Sequence, residues 1–195
     1  MGFNTFSTLE LSPDKAIKST TLHKVRTNLD WIREAYTYNL SRVPNNDFEF
    51  VTDGTPDLWT VSTYETGFVG ITSSTSHSGK HCLMLINDGD TQSGGAAESD
   101  YIPIYVNSTL MNLKYTRWGD NISRGCFLRT YDASFGVIST LGGHTTAPAT
   151  SPSTVTHPMY PMTTGMKWCK IIFRTNTVST VAGTAYFDNV RLDVY

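Results

Sequence analysis

The strongest constraint on this chain is a pattern that begins near residue 59 and runs to the C-terminus: short apolar or alternating runs, each closed by turn chemistry, with no helical period between them. About nine such runs can be marked as strands. They are Trp59 to Tyr64, Phe68 to Thr72, Lys80 to Asn87, Tyr101 to Val106, Leu110 to Trp118, Gly125 to Asp132, Gly136 to Thr140, Lys167 to Thr175 and Thr184 to Tyr195. Between them stand Asn87-Asp88-Gly89-Asp90, Ser93-Gly94-Gly95, Gly119-Asp120-Asn121 and Asp132-Ala133-Ser134. Gly, Asn, Asp and Ser turn a chain because they accept positive φ or cap their own backbone. A strand series without crossover helices has to close on itself as an antiparallel sandwich or jelly roll. The expected fold is mainly β, over residues 45–195.

One segment breaks the rhythm. Residues 141–165 hold Pro148, Pro152, Pro158 and Pro161, half of the chain's eight prolines, and show no strand pattern of any length. A loop of about 25 residues inside a compact domain is either functional or an assembly contact.

The N-terminal part has a different character. Residues 1–18 carry Phe3, Phe6, Leu9 and Leu11 without a sustained period, and such an arm is expected to dock on a partner. A helix follows over residues 19–43, with Ser19, Thr20 or Thr21 as N-cap. Leu22, Val25, Leu29, Ile32 and Tyr36 are spaced by three, four, three and four, the seam of a coiled coil. The same stripe fits an amphipathic helix packed on its own sandwich. Either way it needs a partner, because a helix of this length is marginal alone. Val43-Pro44 ends it.

Composition narrows the function classes. Charged residues make up 16% of the chain and the net charge is −2, which gives no general electrostatic grip on nucleic acid. No run of 18 apolar residues occurs, so no membrane span is expected, and the first twenty residues lack a signal-peptide core. Cys82, Cys126 and Cys169 each sit in an apolar run without zinc-ligand spacing. Three reduced, buried thiols fit a chain made in a reducing cytoplasm. No nucleophile, phosphate-loop or dinucleotide motif occurs, and the histidines lack metal-ligand spacing. An enzyme is therefore not expected.

Alternation sorts the faces of the strongest strands. Met111, Leu113 and Tyr115 fall on one side of their strand, with Lys114 and Trp118 on the other. Cys169, Ile171 and Phe173 likewise oppose Trp168, Lys170 and Arg174. With Arg129 and Tyr131, the polar sides are expected to form one concave face of Trp118, Trp168, Tyr131, Lys114, Lys170, Arg129 and Arg174. Such a face suits a saccharide platform with a preference for acidic glycans. It suits a subunit interface equally, since Trp, Tyr and Arg are enriched there too.

Two stretches carry a family resemblance. Asn45-Asn46-Asp47-Phe48-Glu49 with Thr55-Pro56-Asp57-Leu58-Trp59, and Phe187-Asp188-Asn189-Val190 near the C-terminus, resemble the first strand, first turn and closing strand of carbohydrate-binding modules of the β-jelly-roll type. The resemblance implies a possible structural calcium held by Glu49 and Asp188, although the family pattern has Gly where this chain has Asn46. The alternative is two carboxylates satisfied by backbone amides and turns. The whole layout of arm, heptad helix and β-domain, with Leu22-His23-Lys24-Val25-Arg26 running on to Asp30-Trp31-Ile32-Arg33, is similar to bacteriophage virion appendage and decoration proteins. That resemblance implies a homotrimer, located in the virion after synthesis in the bacterial cytoplasm. Residues 1–18 would then bind other virion proteins, and the jelly roll would touch host cell-surface polysaccharide. The competing expectation is a carbohydrate-binding module of a glycan-degrading system.

Overall fold

A computed structural model describes residues 43–90, 93–104, 110–120, 124–145, 149–175 and 181–195. The arm over residues 1–18 and the heptad seam Leu22, Val25, Leu29, Ile32 and Tyr36 lie outside the described residues. Every regular element among the described residues is a strand. In chain order they are β1 (Val51–Thr52), β2 (Thr55–Pro56), β3 (Trp59–Tyr64), β4 (Phe68–Thr72), β5 (Cys82–Asn87), β6 (Gly94–Ser99), β7 (Ile102–Pro103), β8 (Leu110–Gly119), β9 (Arg124–Tyr131), β10 (Val137–Thr145), β11 (Ala149–Thr156), β12 (Tyr160–Pro161), β13 (Trp168–Thr175) and β14 (Gly183–Val194).

Apart from the small β1-β2 hairpin, they form two antiparallel sheets. The front sheet runs β10-β9-β13-β6-β3 with β7 added on β13, and the back sheet runs β11-β8-β14-β5-β4 with β12 added on β8. The chain repeatedly changes sheet, as between β3 and β4, β5 and β6, β8 and β9, and β13 and β14. Sequence neighbours thus often face each other across the core.

Period-two alternation fills the space between the sheets. Trp59, Leu128, Ile171 and Phe173 come from the front sheet, and Leu83, Leu85, Leu113, Tyr115 and Phe187 from the back. Phe173 meets Phe187 with ring centroids 4.4 Å apart and takes the edge of Tyr115 at 5.2 Å. Each such buried side chain contributes about 1.5–3 kcal/mol. Cys82, Cys126 and Cys169 are buried free thiols, and Cys126 and Cys169 belong to this core. Burial pushes the Cys82 thiol up to about 12.

Two sequence expectations about strands are corrected. Ser93-Gly94-Gly95 is not a turn alone, because Gly94 opens β6, an inner strand of the front sheet. Its small residues hide the strand signal and are required by close approach. A Cβ on Gly95 would sit 2.2 Å from Val69 and 2.6 Å from the Ser62 carbonyl. Residues 141–165 are not one loop either: the second half of β10, β11 and β12 lie there. β11 is an edge strand with a register shift between Ala149 and Ser153, and Pro152 sits within that irregularity, where no ladder bond is demanded of it.

The opening segment is a plug rather than a strand. Asn45 and Phe48 adopt positive φ (44° and 57°), and the Asn45 side chain donates to the carbonyls of Phe50 at 2.7 Å and Asp57 at 3.0 Å. This folds Phe48 inward against Trp59, at a centroid distance of 5.1 Å. The Val190 amide of the last strand donates to the Asn46 carbonyl at 2.7 Å, so the two stretches that carry the family resemblance meet.

Candidate functional site

The seven residues expected on one face divide between two. Trp168, Tyr131, Lys170, Arg129 and Arg174 share the outer face of the front sheet, where the register sets Trp168 beside Tyr131 and Lys170 beside Arg129. Lys114 and Trp118 belong to β8 and thus to the back sheet. Alternation tells which side of a strand a residue takes but not which sheet receives the strand. Trp118 is also unavailable as a platform. It is 7% exposed, stacked on Tyr186 at 5.4 Å, with His77 of the loop before β5 lying 6.2 Å away. The Lys114 ammonium pairs with buried Asp193 at 3.1 Å.

The front face gains two aromatics that the sequence did not announce. Tyr101, just before β7, sets its ring edge-on to Tyr131 at 5.0 Å and to Trp168 at 6.5 Å. Phe135, in the β9-β10 hairpin, lies 4.7 Å from Tyr101 and stacks on Trp168 at 5.5 Å and 23°. Tyr131 is covered by this group, while Tyr101 and Phe135 are exposed to 39% and 49%. Phe135 holds φ 63°, an uncommon conformation for a bulky residue. The turn keeps it there: the Asp132 carboxylate accepts from the amides of Ser134 and Gly136, both at 2.8 Å, and the Asp132 amide donates to the Gly136 carbonyl at 2.9 Å. A large aromatic inside an Asp-Gly-bounded turn was the available sequence signal.

Charge surrounds the rings. The Lys170 ammonium sits 4.5 Å from the Tyr101 ring centroid, a cation–π distance, and 3.9 Å from Glu98. Arg129 approaches the other Glu98 oxygen at 3.8 Å. Arg174 lies over the Phe127 ring at 4.4 Å. Burial raises the Tyr131 phenol above its ordinary value, with the neighbouring Arg129 pulling the other way. The arrangement presents flat apolar rings edged by donors and one acceptor carboxylate, which can take a flat ligand with an apolar face and polar rim.

Glu49 and Asp188 are occupied by donors. One Glu49 oxygen accepts from the amides of Lys80 at 2.7 Å and His81 at 2.9 Å. Asp188 accepts from the Ser78 amide at 2.9 Å, the Ser78 hydroxyl at 3.1 Å and the Asn189 amide at 2.7 Å. Among the described residues no cluster of three or more His, Cys, Asp or Glu could hold a metal. The hydrogen bonds of the pair anchor the loop before β5, Glu49 from the opening segment and Asp188 from the last strand. Burial is the largest influence on Asp188 and raises its carboxyl above the ordinary range, opposed by the Ser78 and Asn189 hydrogen bonds.

No protein-family model matches the chain, and no curated protein matches it in sequence. Solved structures do match. The enzymatically active domain of tailspike protein 4 of bacteriophage CBA120 superposes with a TM-score of 0.65 at 13% identity, over 80% of this chain and 21% of that one. The chain thus spans about a fifth of that tailspike domain's length. The module TmCBM61, in complex with β-1,4-galactotriose, gives 0.52 at 12% identity, over 80% of this chain and 99% of the module. A xylan-binding domain of Xyn10C from Paenibacillus barcinonensis gives 0.51 at 10% identity, over 76% and 91%. At such identities the likeness is one of fold, and it agrees with the sheet topology: the described chain is an all-β, two-sheet sandwich of the carbohydrate-binding-module type.

Proposed function

We propose that this chain is a non-enzymatic virion structural protein, a tail-fibre, appendage, baseplate or capsid-decorating subunit, whose sandwich binds host cell-surface polysaccharide on the outer face of its front sheet. The observation that carries the binding is the solvent-facing ring group of Tyr101, Phe135 and Trp168, edged by Lys170, Arg129 and Glu98. A sugar stacks its C–H face on such rings and gives its hydroxyls to the flanking charges. Fold likeness to a phage tailspike domain supports the virion setting. In this reading residues 1–18 bind other virion proteins, and Leu22, Val25, Leu29, Ile32 and Tyr36 join three copies. The chain is made in the host cytoplasm and ends in the particle.

The second reading, a carbohydrate-binding module of a glycan-degrading system, draws support from the near-complete span of two such modules. Light scattering on the full chain separates the two. A trimer that becomes a monomer on deletion of residues 1–44 favours the virion subunit, and a full-length monomer favours the module. For the binding itself, the full chain is run through gels containing bacterial surface polysaccharides. Retardation that Trp168→Ala abolishes is expected, and retardation unchanged in that variant would sink the assignment of the face.

A further inference from the structure

Arg117 departs from the pattern of the strand that carries it. β8 sends Met111, Leu113 and Tyr115 into the space between the sheets, and period two sends Arg117 after them, beside Phe187 of β14 and Ser153 of β11. A core side chain would be ordinary here. Instead a guanidinium enters, and its Nε and Nη1 are buried with no hydrogen-bond partner among the described residues. Buried guanidinium groups are normally paired, so an unpaired one asks for a missing acceptor.

The space beside it is a cleft of about 430 Å³, lined by side chains of β8, β11, β12 and the β11–β12 connection and by Gly142 and Gly143 of β10. It opens where, among the described residues, the two sheets end, at β10 in front and β11 behind. Its wall is held rigidly. His157 Nδ1 lies 2.7 Å from the Tyr160 hydroxyl and Nε2 lies 3.3 Å from that of Tyr115. The His157 amide donates to the Leu113 carbonyl at 2.9 Å, and its own carbonyl accepts from Asn112 at 2.7 Å. Among the described residues that line it there is no carboxylate. Burial, and then the neighbouring Arg117, hold the His157 imidazole below its ordinary value, which leaves the guanidinium as the cleft's charge. Gly143 adds the room: a Cβ built there meets nothing of the described residues within 4 Å.

We propose that this cleft is a second binding site, separate from the front face, which receives the carboxylate of a sugar acid on Arg117. A guanidinium fork matches a carboxylate bidentately. The Tyr160 ring and the His157 edge suit the sugar ring behind that carboxylate, and the volume falls in the range of small-ligand sites. The inference does not rest on the saccharide role of the front face, because the two sites share no residue.

The test titrates the full chain with glucuronate, glucose and inorganic phosphate, followed by NMR shifts of the protein. Glucuronate is expected to saturate the site, with glucose and phosphate at least about tenfold weaker. Arg117→Gln is expected to weaken glucuronate by at least about tenfold. Gly143→Leu, whose side chain enters open space, is expected to do the same by filling the cleft while the fold persists. Should Arg117→Gln fail to fold, Gly143→Leu decides alone. Trp168→Ala leaves glucuronate binding at the cleft intact, so failure of the front face and failure of the cleft are told apart. The proposal is overturned if glucuronate does not saturate, if glucose binds as well, if phosphate binds more tightly, or if Gly143→Leu leaves the affinity unchanged.

Discussion

Phe135→Gly separates what the front-face rings do for binding from what they do for stability. Phe135 is held at φ 63° and is 49% exposed. Replacing it with glycine removes left-handed strain of about 1–2 kcal/mol. Against that stand the half-buried ring, about 1 kcal/mol, its contacts with Trp168 and Tyr101, about 0.5–1 kcal/mol, and the extra unfolded-state freedom of glycine, about 0.5–1 kcal/mol. The hairpin itself keeps its bonds, because they run through the Asp132 carboxylate and backbone groups. The net change is close to −1 kcal/mol, a fall in melting temperature of about 2–4 °C for a domain this size. Binding responds differently. A sugar covering about 50 Å² of ring gains about 1.3 kcal/mol at 25 cal/mol per Å², so the variant should bind about tenfold more weakly. Calorimetric melting and affinity electrophoresis on the same sample read both quantities. Global unfolding would make Phe135 a core residue, and an affinity loss below about twofold would remove it from the binding face; either result refutes the reasoning.

Other consequences run through different parts of the molecule. Trp118→Ala should lower stability by about 3–5 kcal/mol, seen in denaturant melts, yet leave polysaccharide affinity of the folded protein unchanged, since Trp118 and Tyr186 stack on the back sheet, away from the front face. Gly95→Ala drives a Cβ against Val69 and the Ser62 carbonyl and should cost about 1–3 kcal/mol, measured by thermal denaturation. The Asp88 carboxyl is lowered to about 2 from 3.8, first by Thr66 and then by Ser93 and the Asp90 amide. A lowered carboxylate contributes stability that is present above pH 4 and is lost as pH falls from about 4 through about 2. The stability gap between wild type and Asp88→Asn should therefore close over that window in acid melts.

Legibility followed the physical signal. The sequence pattern matches β3 and β4 to the residue, and β8, β9, β13 and β14 nearly so, because period-two alternation of large apolar residues is forced wherever one side of a strand meets the core. β6 was invisible: Gly94-Gly95-Ala96-Ala97 carries no strand propensity and is small because neighbouring strands press on it. β11 was hidden by Pro152 and a run of Ser and Thr, which an irregular edge strand tolerates and an inner strand would not. Half of the front face was legible, since the register of β9 and β13 brings Trp168, Tyr131, Lys170 and Arg129 together as alternation implies. Trp118 and Lys114 went to the other sheet because sheet membership is set by long-range topology. Tyr101 and Phe135 act from outside the longer strands, where no period marks them.

The most direct test of a polysaccharide-binding front face is an array of bacterial surface glycans probed with the full chain and with a Tyr101→Ala, Trp168→Ala double variant. Binding to a narrow set of glycans by the wild type, reduced at least about thirtyfold in the folded double variant, about 2 kcal/mol of lost contact, is the expected result. Glycan binding of equal strength in both proteins, or none by the wild type, would contradict it.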